Sequence, residues 1–279
     1  MSYFLRRGRL FAALAASSSA LVLAACGGGE EEQQTSSGEA PAEDVGLVNE
    51  GQLTTCTHLP YKPFQFEQDG KIVGFDVDLV DLVAKELGVR QEIVDTPFEG
   101  IQSGEDLNAR KCDIAAAAMT ITPERAEKIA FSDPYFDANQ ALLVKKDSNI
   151  KTLDDLEGKT LGVQSGTTGK LYAEENAEPK GVKLKDYEDV ALELSSVKSG
   201  QVDAGINDVP VLLDYAKDNP ELEVTQQFET GEQYGFGMKK GTSEKLATVV
   251  NRVLSEAKQD GTYDRLYEKW FGVKPKSSS

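Results

Sequence analysis

The sequence predicts an α/β fold made of two similar lobes, each with a mostly parallel sheet. Three observations carry that expectation. From Gln52 onward, strand-like and helix-like segments alternate, the order that builds parallel sheets. Residues 112–119 form a nearly unbroken apolar run, as in a strand covered on both faces. Finally, Lys111-Cys112-Asp113-Ile114 is echoed by Gln201-Val202-Asp203-Ala204. Each is a polar turn, an Asp and then a small-residue strand, as though one unit occurred twice. The two Asp residues read as turn or strand-edge groups rather than ligands.

In chain order, Leu53–Thr57 reads as a strand, followed by the Pro- and aromatic-rich loop Leu59–Phe64. Gln68-Asp69-Gly70 has the composition of a hairpin turn. Apolar residues at 79, 80, 82, 83 and 87 mark one helical face over Val77–Leu87, ending at Gly88. A strand over Arg90–Val94, a helix within 98–110 and the strand Cys112–Met119 complete the first unit. In the second, strands at Thr160–Val163, Val182–Tyr187 and Gln201–Ile206 alternate with helices at Thr167–Asn176 and Val190–Ser199. The tail returns to helix: Leu246, Val249, Val250, Val253 and Leu254 share a face, as do Tyr263, Leu266, Tyr267, Trp270 and Phe271. The single Trp therefore reads as a packing residue.

Composition excludes several functions. The 279 residues carry 30 Lys+Arg against 47 Asp+Glu, a net charge of -17, which leaves nothing to neutralise phosphates, so no nucleic-acid partner is expected. One His argues against His-based metal sites, and neither a metal nor a cofactor is expected. Arg6, Arg7 and Arg9 precede an apolar stretch, Leu10–Ala25, that is too short to span a bilayer permanently. Residues 1–25 thus read as a secretory signal. Leu23-Ala24-Ala25-Cys26 resembles a bacterial lipobox, which makes Cys26 the lipidated first mature residue. Residues 26–48 have no aromatic residue and no periodicity, and read as a flexible tether. Cys56 and Cys112 remain, in an oxidising setting. If their strands are neighbours a bridge fits, and two buried free thiols are the other reading.

Three features carry chemistry. In Thr120-Ile121-Thr122-Pro123-Glu124-Arg125, Thr122 suits an N-cap and Pro123 the first helical position. Arg125 then stands against the helix dipole, a cost that a bound carboxylate would offset. A surface Arg paired with Glu124 or Asp133 is the competing reading. Gln164-Ser165-Gly166-Thr167-Thr168-Gly169 joins a strand to a helix and offers N–H groups to an anion, without the Lys of a phosphate loop. Asn207-Asp208 ends a strand, where open α/β sheets place ligands. Asp208 either meets an ammonium group or caps a helix. Together these supply what a free α-amino acid needs.

Several motifs in one order carry a resemblance: Pro63-Phe64, Gly74–Leu79, Met119–Arg125, Phe131-Ser132-Asp133-Pro134-Tyr135, Ser165–Thr168, and Gly261-Thr262-Tyr263 to Lys269-Trp270-Phe271-Gly272. Over about residues 50–273 the chain resembles the extracellular solute-binding proteins of family 3, the polar-amino-acid-binding proteins of ABC importers related to glutamine- and histidine-binding proteins. The resemblance implies a two-lobed periplasmic-binding-protein-like fold of type II, with a two-crossing hinge near Gln140–Val144 and Phe228–Tyr234. Lobe 1 would be 49–139 and 234–274, lobe 2 would be 140–233, and 275–279 a tail.

The resemblance further implies a monomer on the extracytoplasmic face of a bacterial membrane, attached by lipid at Cys26, which captures a free polar L-amino acid and passes it to an ABC permease. By position, Arg125, Thr120 and Thr168 hold the ligand carboxylate. Asp208, Thr120 and the Ala118 carbonyl hold its ammonium. Tyr61 and Phe98 sandwich its side chain, whose end meets Gln164, Asn207 and His58. Relatives that bind cations often have an acid where His58 stands. Glutamine binders often have a basic residue where Gln164 stands and a His where Asn207 stands. This favours a neutral polar side chain, while Glu99 beside Phe98 leaves a cationic ligand open. No catalytic residue is implied. The alternative is an exported enzyme resembling cyclohexadienyl dehydratase, with Glu99 as its general acid.

Overall fold

A computed structural model describes residues 44–275. The expected export signal, the expected lipidation site Cys26, most of the expected tether and the last four residues lie outside those described. The chain enters through β1 (Gln52–Thr57), turns through β2 (Phe66–Gln68) and β3 (Lys71–Val73), and runs into α1 (Phe75–Glu86). Then come β4 (Arg90–Asp95), the short α2 (Phe98–Gln102) and α3 (Glu105–Asn108), β5 (Ile114–Ala115), α4 (Pro123–Lys128) and β6 (Ile129–Phe131). The long β7 (Phe136–Lys145) leads to β8 (Thr160–Gln164), α5 (Thr168–Asn176), β9 (Lys183–Tyr187), α6 (Val190–Ser199), β10 (Ala204–Asp208) and α7 (Val209–Asp218). The return strand β11 (Leu222–Tyr234) is followed by β12 (Gly237–Lys239), α8 (Glu244–Gln259) and α9 (Thr262–Phe271).

Two five-stranded sheets result, ordered β4-β1-β5-β12-β6 and β11-β7-β10-β8-β9. In each, one strand opposes the other four. β12 is antiparallel to β5 and β6, and β7 is antiparallel to β10 and β11. The other neighbours are parallel, so both sheets are mostly parallel, as expected. β7 and β11 pair over their length and carry the chain from one sheet to the other and back, with Tyr234 opposite Phe136. The two Asp residues of the repeated motif do the same structural task. Asp113 accepts from the Thr54 N–H at 2.8 Å, and Asp203 from the Thr160 N–H at 2.8 Å.

Four expectations change. Residues 112–119 are all buried, but only Ile114–Ala115 is strand. The chain then leaves the sheet, reaching Ala118 at φ 47°. Its N–H goes to the Asp76 carboxylate at 2.8 Å; an apolar run reports burial, not ladder pairing. The helix within 98–110 is two short helices, broken at Gly104 in the left-handed region. The strand expected at 201–206 runs later, Ala204–Asp208, so Asn207 and Asp208 are its last residues. Lastly, the residues at the end of the expected tether are packed: Val45 and Leu47 lie on the core, and the Val48 N–H donates to Asp113 at 2.6 Å.

The crossing is held by aromatic packing. Phe64, Phe136, Tyr234 and Phe271 form one cluster, with Phe136 and Tyr234 stacked at 5.4 Å and Phe64 edge-on to Phe136 at 5.0 Å. The apolar face of α8 is buried, as its spacing predicts. Trp270 packs on Phe66 and donates to Asp78 at 2.6 Å, a packing role. Because β1 lies beside β5, Ala115 stands opposite Cys56. Cys112, just before β5, is thereby within reach of Cys56, and the two are disulfide-bonded with Cα atoms 5.6 Å apart.

Gly74 lets this packing close. It precedes α1 at φ 145°, and a Cβ there would lie 2.0 Å from the Phe64 carbonyl oxygen. That carbonyl accepts the Asp76 N–H at 3.0 Å, so it cannot retreat freely. Gly74→Ala is expected to cost about 3 kcal/mol of stability through overpacking and backbone strain, read as a lower urea midpoint with an unchanged slope.

Candidate functional site

The local structure that begins at Thr122 forms as the sequence predicts. Pro123 opens α4, and the Thr122 hydroxyl accepts the Arg125 N–H at 3.2 Å. The Arg125 side chain then turns inward, leaving 6% of the residue exposed. Nη1 donates to the Thr120 carbonyl at 2.8 Å and Nη2 to the Gly166 carbonyl at 2.9 Å. The guanidinium lies 5.4 Å from the Phe98 ring centre. A surface Arg paired with Glu124 is thereby ruled out, since Glu124 meets Lys128 instead. Burial pulls the Arg125 pKa down, and the charges of Glu232 and Asp208 oppose that pull.

Asp208 occupies the N-cap position of α7 without any capping bond from its side chain. Its carboxylate faces the cleft. Oδ2 accepts from the Tyr61 hydroxyl at 2.6 Å and from the Tyr234 hydroxyl, and Oδ1 from Gln140 Nε2. Burial, then the nearby Glu232 charge, push its carboxyl up to about 6, against the pull of those three hydrogen bonds. A carboxylate at this value is ionised at pH 7 and eager for a cation.

One cavity is lined by every residue singled out for the ligand: Arg125, Thr120, Thr168, Asp208, Ala118, Tyr61, Phe98, Gln164, Asn207 and His58. They come from both sheets, and direct bonds join the two sides. Tyr61, beyond β1, donates to Asn207 Oδ1 at 2.6 Å. Arg125 reaches Gly166 as described, and the Thr120 and Thr168 hydroxyls lie 3.4 Å apart. The lobes are therefore closed.

Sequence reasoning missed several contributors. Glu232, near the end of β11, accepts from the Thr120 hydroxyl at 2.9 Å and the Thr168 hydroxyl at 2.7 Å. Gln140 lies 1% exposed on β7, and its polarity beside Ala141-Leu142-Leu143-Val144 was the available signal. Glu193 is wholly buried behind the cavity wall. It shares the face of α6 that buries Val190, Leu194 and Val197, so an acid within an apolar stripe gave it away. Asp76, within the Gly74–Leu79 motif, holds the Ala118 backbone in its left-handed conformation through one oxygen and accepts from Tyr135 at 2.7 Å through the other.

Glu99 does not line the cavity. It is exposed and bonded to Gln102 at 3.0 Å, so the acid named for the enzyme alternative does not stand in the cavity wall. Among the described residues, no group of three or more His, Cys, Asp or Glu could hold a metal. No helix there is long and apolar enough to cross a membrane.

Two hinged α/β lobes, closed over a cleft with a buried cation on one side and a buried carboxylate on the other, define a protein that captures a small solute. The chain matches the bacterial extracellular solute-binding proteins, family 3, over residues 53–273, and it belongs to that family. It is 34% identical over 212 residues to a probable histidine-binding protein of Campylobacter jejuni, covering 75% of this chain and 81% of the relative. An ancestral arginine-binding protein bound to arginine is 44% identical, with a TM-score of 0.74, covering 80% of this chain and 99% of that one. The ancestral amino acid-binding protein AncCDT-1, a precursor of cyclohexadienyl dehydratase, is 43% identical at a TM-score of 0.72, covering 79% and 95%. These relatives are named as binding proteins, not enzymes, which supports binding rather than catalysis here.

Asp76 makes the site's scaffold pH-sensitive. Burial pushes its carboxyl up to about 7, against the hydrogen bonds from Ala118 and Tyr135. The folded state thus keeps a proton that the unfolded chain has already released, and stability falls as pH rises from about 4 to about 7. Asp76→Asn stays neutral and keeps an oxygen for the Ala118 N–H. Relative to this variant, the parent protein is expected to lose on the order of 2 kcal/mol between pH 5 and pH 7.5, measured by urea unfolding. Parallel pH profiles would refute the assignment.

Proposed function

We propose that this protein captures a free polar L-amino acid in the cleft and delivers it to an ABC permease. The observation that carries this reading is the pair of buried opposite charges, Arg125 and Asp208, lining one closed cavity from different lobes. Arg125 takes the ligand carboxylate, with the N–H groups of Thr120 and Thr168. Asp208, the Thr120 hydroxyl and the Ala118 carbonyl take the ammonium. Tyr61 and Phe98 cover the side chain, with Gln164, Asn207 and His58 at its end. The names of relatives that bind histidine or arginine support an amino acid as the solute.

In this reading, lobe 1 is residues 49–139 with 234–274 and lobe 2 is 140–233. The ligand favours closure because only the closed form lets both lobes touch it. Residues 1–25 direct export and Cys26 carries the lipid. The tether keeps a monomeric receptor concentrated at the membrane, beside its permease.

Thermal-shift screening against the twenty amino acids is expected to give a rise in melting temperature with a subset of them, by mass action. A flat response to all twenty would overturn the reading. Arg125→Ala should weaken the best ligand by at least about 100-fold in calorimetry, the scale of losing one partner of a buried charge pair. Affinity should also depend on pH. An ammonium beside Asp208 lowers the pKa that burial has raised to about 6, so binding releases a proton below that pH. The Kd should therefore weaken by up to about tenfold per unit as pH falls below 6, and an unchanged Kd between pH 5 and 7.5 would count against Asp208 as the ammonium partner.

A further inference from the structure

The hydrogen-bond directions around the cavity say more about the ligand than its residue types do. Three glutamines line it, and each amide is oriented by a partner that can only accept. Gln164 Nε2 donates to the Glu188 carbonyl at 3.5 Å, Gln65 Nε2 to the His58 carbonyl at 3.4 Å, and Gln140 Nε2 to the Asp208 carboxylate. Their oxygens are left buried without a partner among the described residues. His58 behaves alike: Nδ1 meets the Thr96 carbonyl at 3.0 Å. Nδ1 therefore carries a proton, and in that tautomer the lone pair lies on Nε2, which is also buried and unpartnered.

Every side-chain donor atom of the lining engages a protein acceptor, an amide nitrogen through at least one of its two N–H groups. The Thr120 and Thr168 hydroxyls go to Glu232, the Thr167 hydroxyl to the Gln164 carbonyl, and the Tyr61 hydroxyl to Asn207 and Asp208. Asn207 is the pivotal case. Its Nδ2 points away from Tyr61 to the wholly buried Glu193, which accepts at 2.9 Å. Its Oδ1 accepts from the Asp208 N–H at 2.9 Å as well as from Tyr61. Room for Glu193 is made by two glycines: a Cβ on Gly205 would lie 2.8 Å from Glu193 Oε1, and one on Gly162 3.3 Å from its Cγ. Apart from Arg125, every donor-bearing side-chain atom of the lining already has a protein acceptor.

A carboxamide brings a donor and an acceptor, and its oxygen would face a lining whose unpartnered side-chain atoms are all acceptors. A side-chain carboxylate would fare worse. A guanidinium or ammonium group brings donors alone. We propose that the ligand's side chain ends in a donor-only cation, and that Glu193 keeps the chamber rich in acceptors by holding the Asn207 amide nitrogen out of it. The proposal rests on the amino-acid reading above. It revises the neutral side chain expected from residue types at 58, 164 and 207, because amide direction is not written in residue type. Glu193 is a positioning residue, acting on the ligand through Asn207.

Calorimetry with L-arginine, L-lysine, L-citrulline, L-glutamine and L-glutamate tests the ligand class on the full mature chain. Arginine or lysine should bind about 10- to 100-fold more tightly than citrulline, the neutral analogue that adds one acceptor oxygen. The better of the two cations distinguishes guanidinium from ammonium. Citrulline, glutamine or glutamate binding as tightly as both cations would overturn the proposal while leaving the amino-acid reading intact. No binding of any amino acid would overturn both. Glu193→Leu frees Asn207 to turn its N–H inward and should lower the arginine-to-glutamine preference by about tenfold. Glu193→Gln, whose oxygen still accepts from Asn207, should restore it. Glu193→Ala gives the same readout as Leu should that variant not fold. An unchanged preference in a folded Leu or Ala variant would overturn the positioning role.

Discussion

The structure depends most on how the Asp208 carboxylate is buried. Its three side-chain donors come from three different places: Tyr61 from the loop after β1, Gln140 from the outgoing crossing β7, and Tyr234 from the returning crossing β11. The carboxylate itself ends β10 in the second lobe. Both lobes and both crossings thus converge on one charged group. Burying an ionised carboxylate costs several kcal/mol unless hydrogen bonds compensate. The three donors reduce that cost without cancelling it, as the raised pKa shows. A residual preference for a cation is what a binding site needs, and a fully satisfied salt bridge would not retain it.

The same compromise recurs where the cleft meets the first lobe. Asp76 is fully buried and spends its two oxygens on Ala118 and Tyr135. By taking the Ala118 N–H, it lets the chain after β5 abandon the ladder and adopt a left-handed residue beside the cavity. Tyr135 stacks on Phe236 at 4.3 Å, and Phe236 follows β11. The prop beneath the binding loop is therefore packed into the crossing, so the geometry that presents Ala118 and the geometry of the hinge are not independent.

The fold was largely legible because its signals are periodic. The helix at Val190–Ser199 is found as expected, and the buried face of α8 follows from its spacing. Cys112–Met119 misled because unbroken apolarity reports depth, which a loop under a lobe shares with a strand. The site was legible through residues whose type is costly in place: Arg125 at a helix start, Asp208 at a strand end. Less legible were those whose role depends on direction. Gln140, Glu193 and Glu232 stand far from the cleft's motifs in sequence, and an amide offers a donor or an acceptor according to neighbours 14 to 146 residues away. Sequence types do not fix such orientations; packing does.

Closure follows from how weakly the two charges are matched inside the protein. In the closed lobes Arg125 is held by two carbonyl oxygens, from Thr120 in one lobe and Gly166 in the other. These are neutral acceptors, and a charged acceptor forms hydrogen bonds roughly twice as strong. Asp208 likewise has hydroxyl and amide donors rather than a cation. In the proposed binding mode, an α-amino acid would offer a full negative charge to the first and a full positive charge to the second, in a cleft whose burial strengthens both. Its differential affinity for the closed form is what shifts the population between open and closed. The internal contacts set a lower limit: the Tyr61, Arg125 and Thr120 bridges already join the lobes, so the ligand completes a closure that the protein has partly formed.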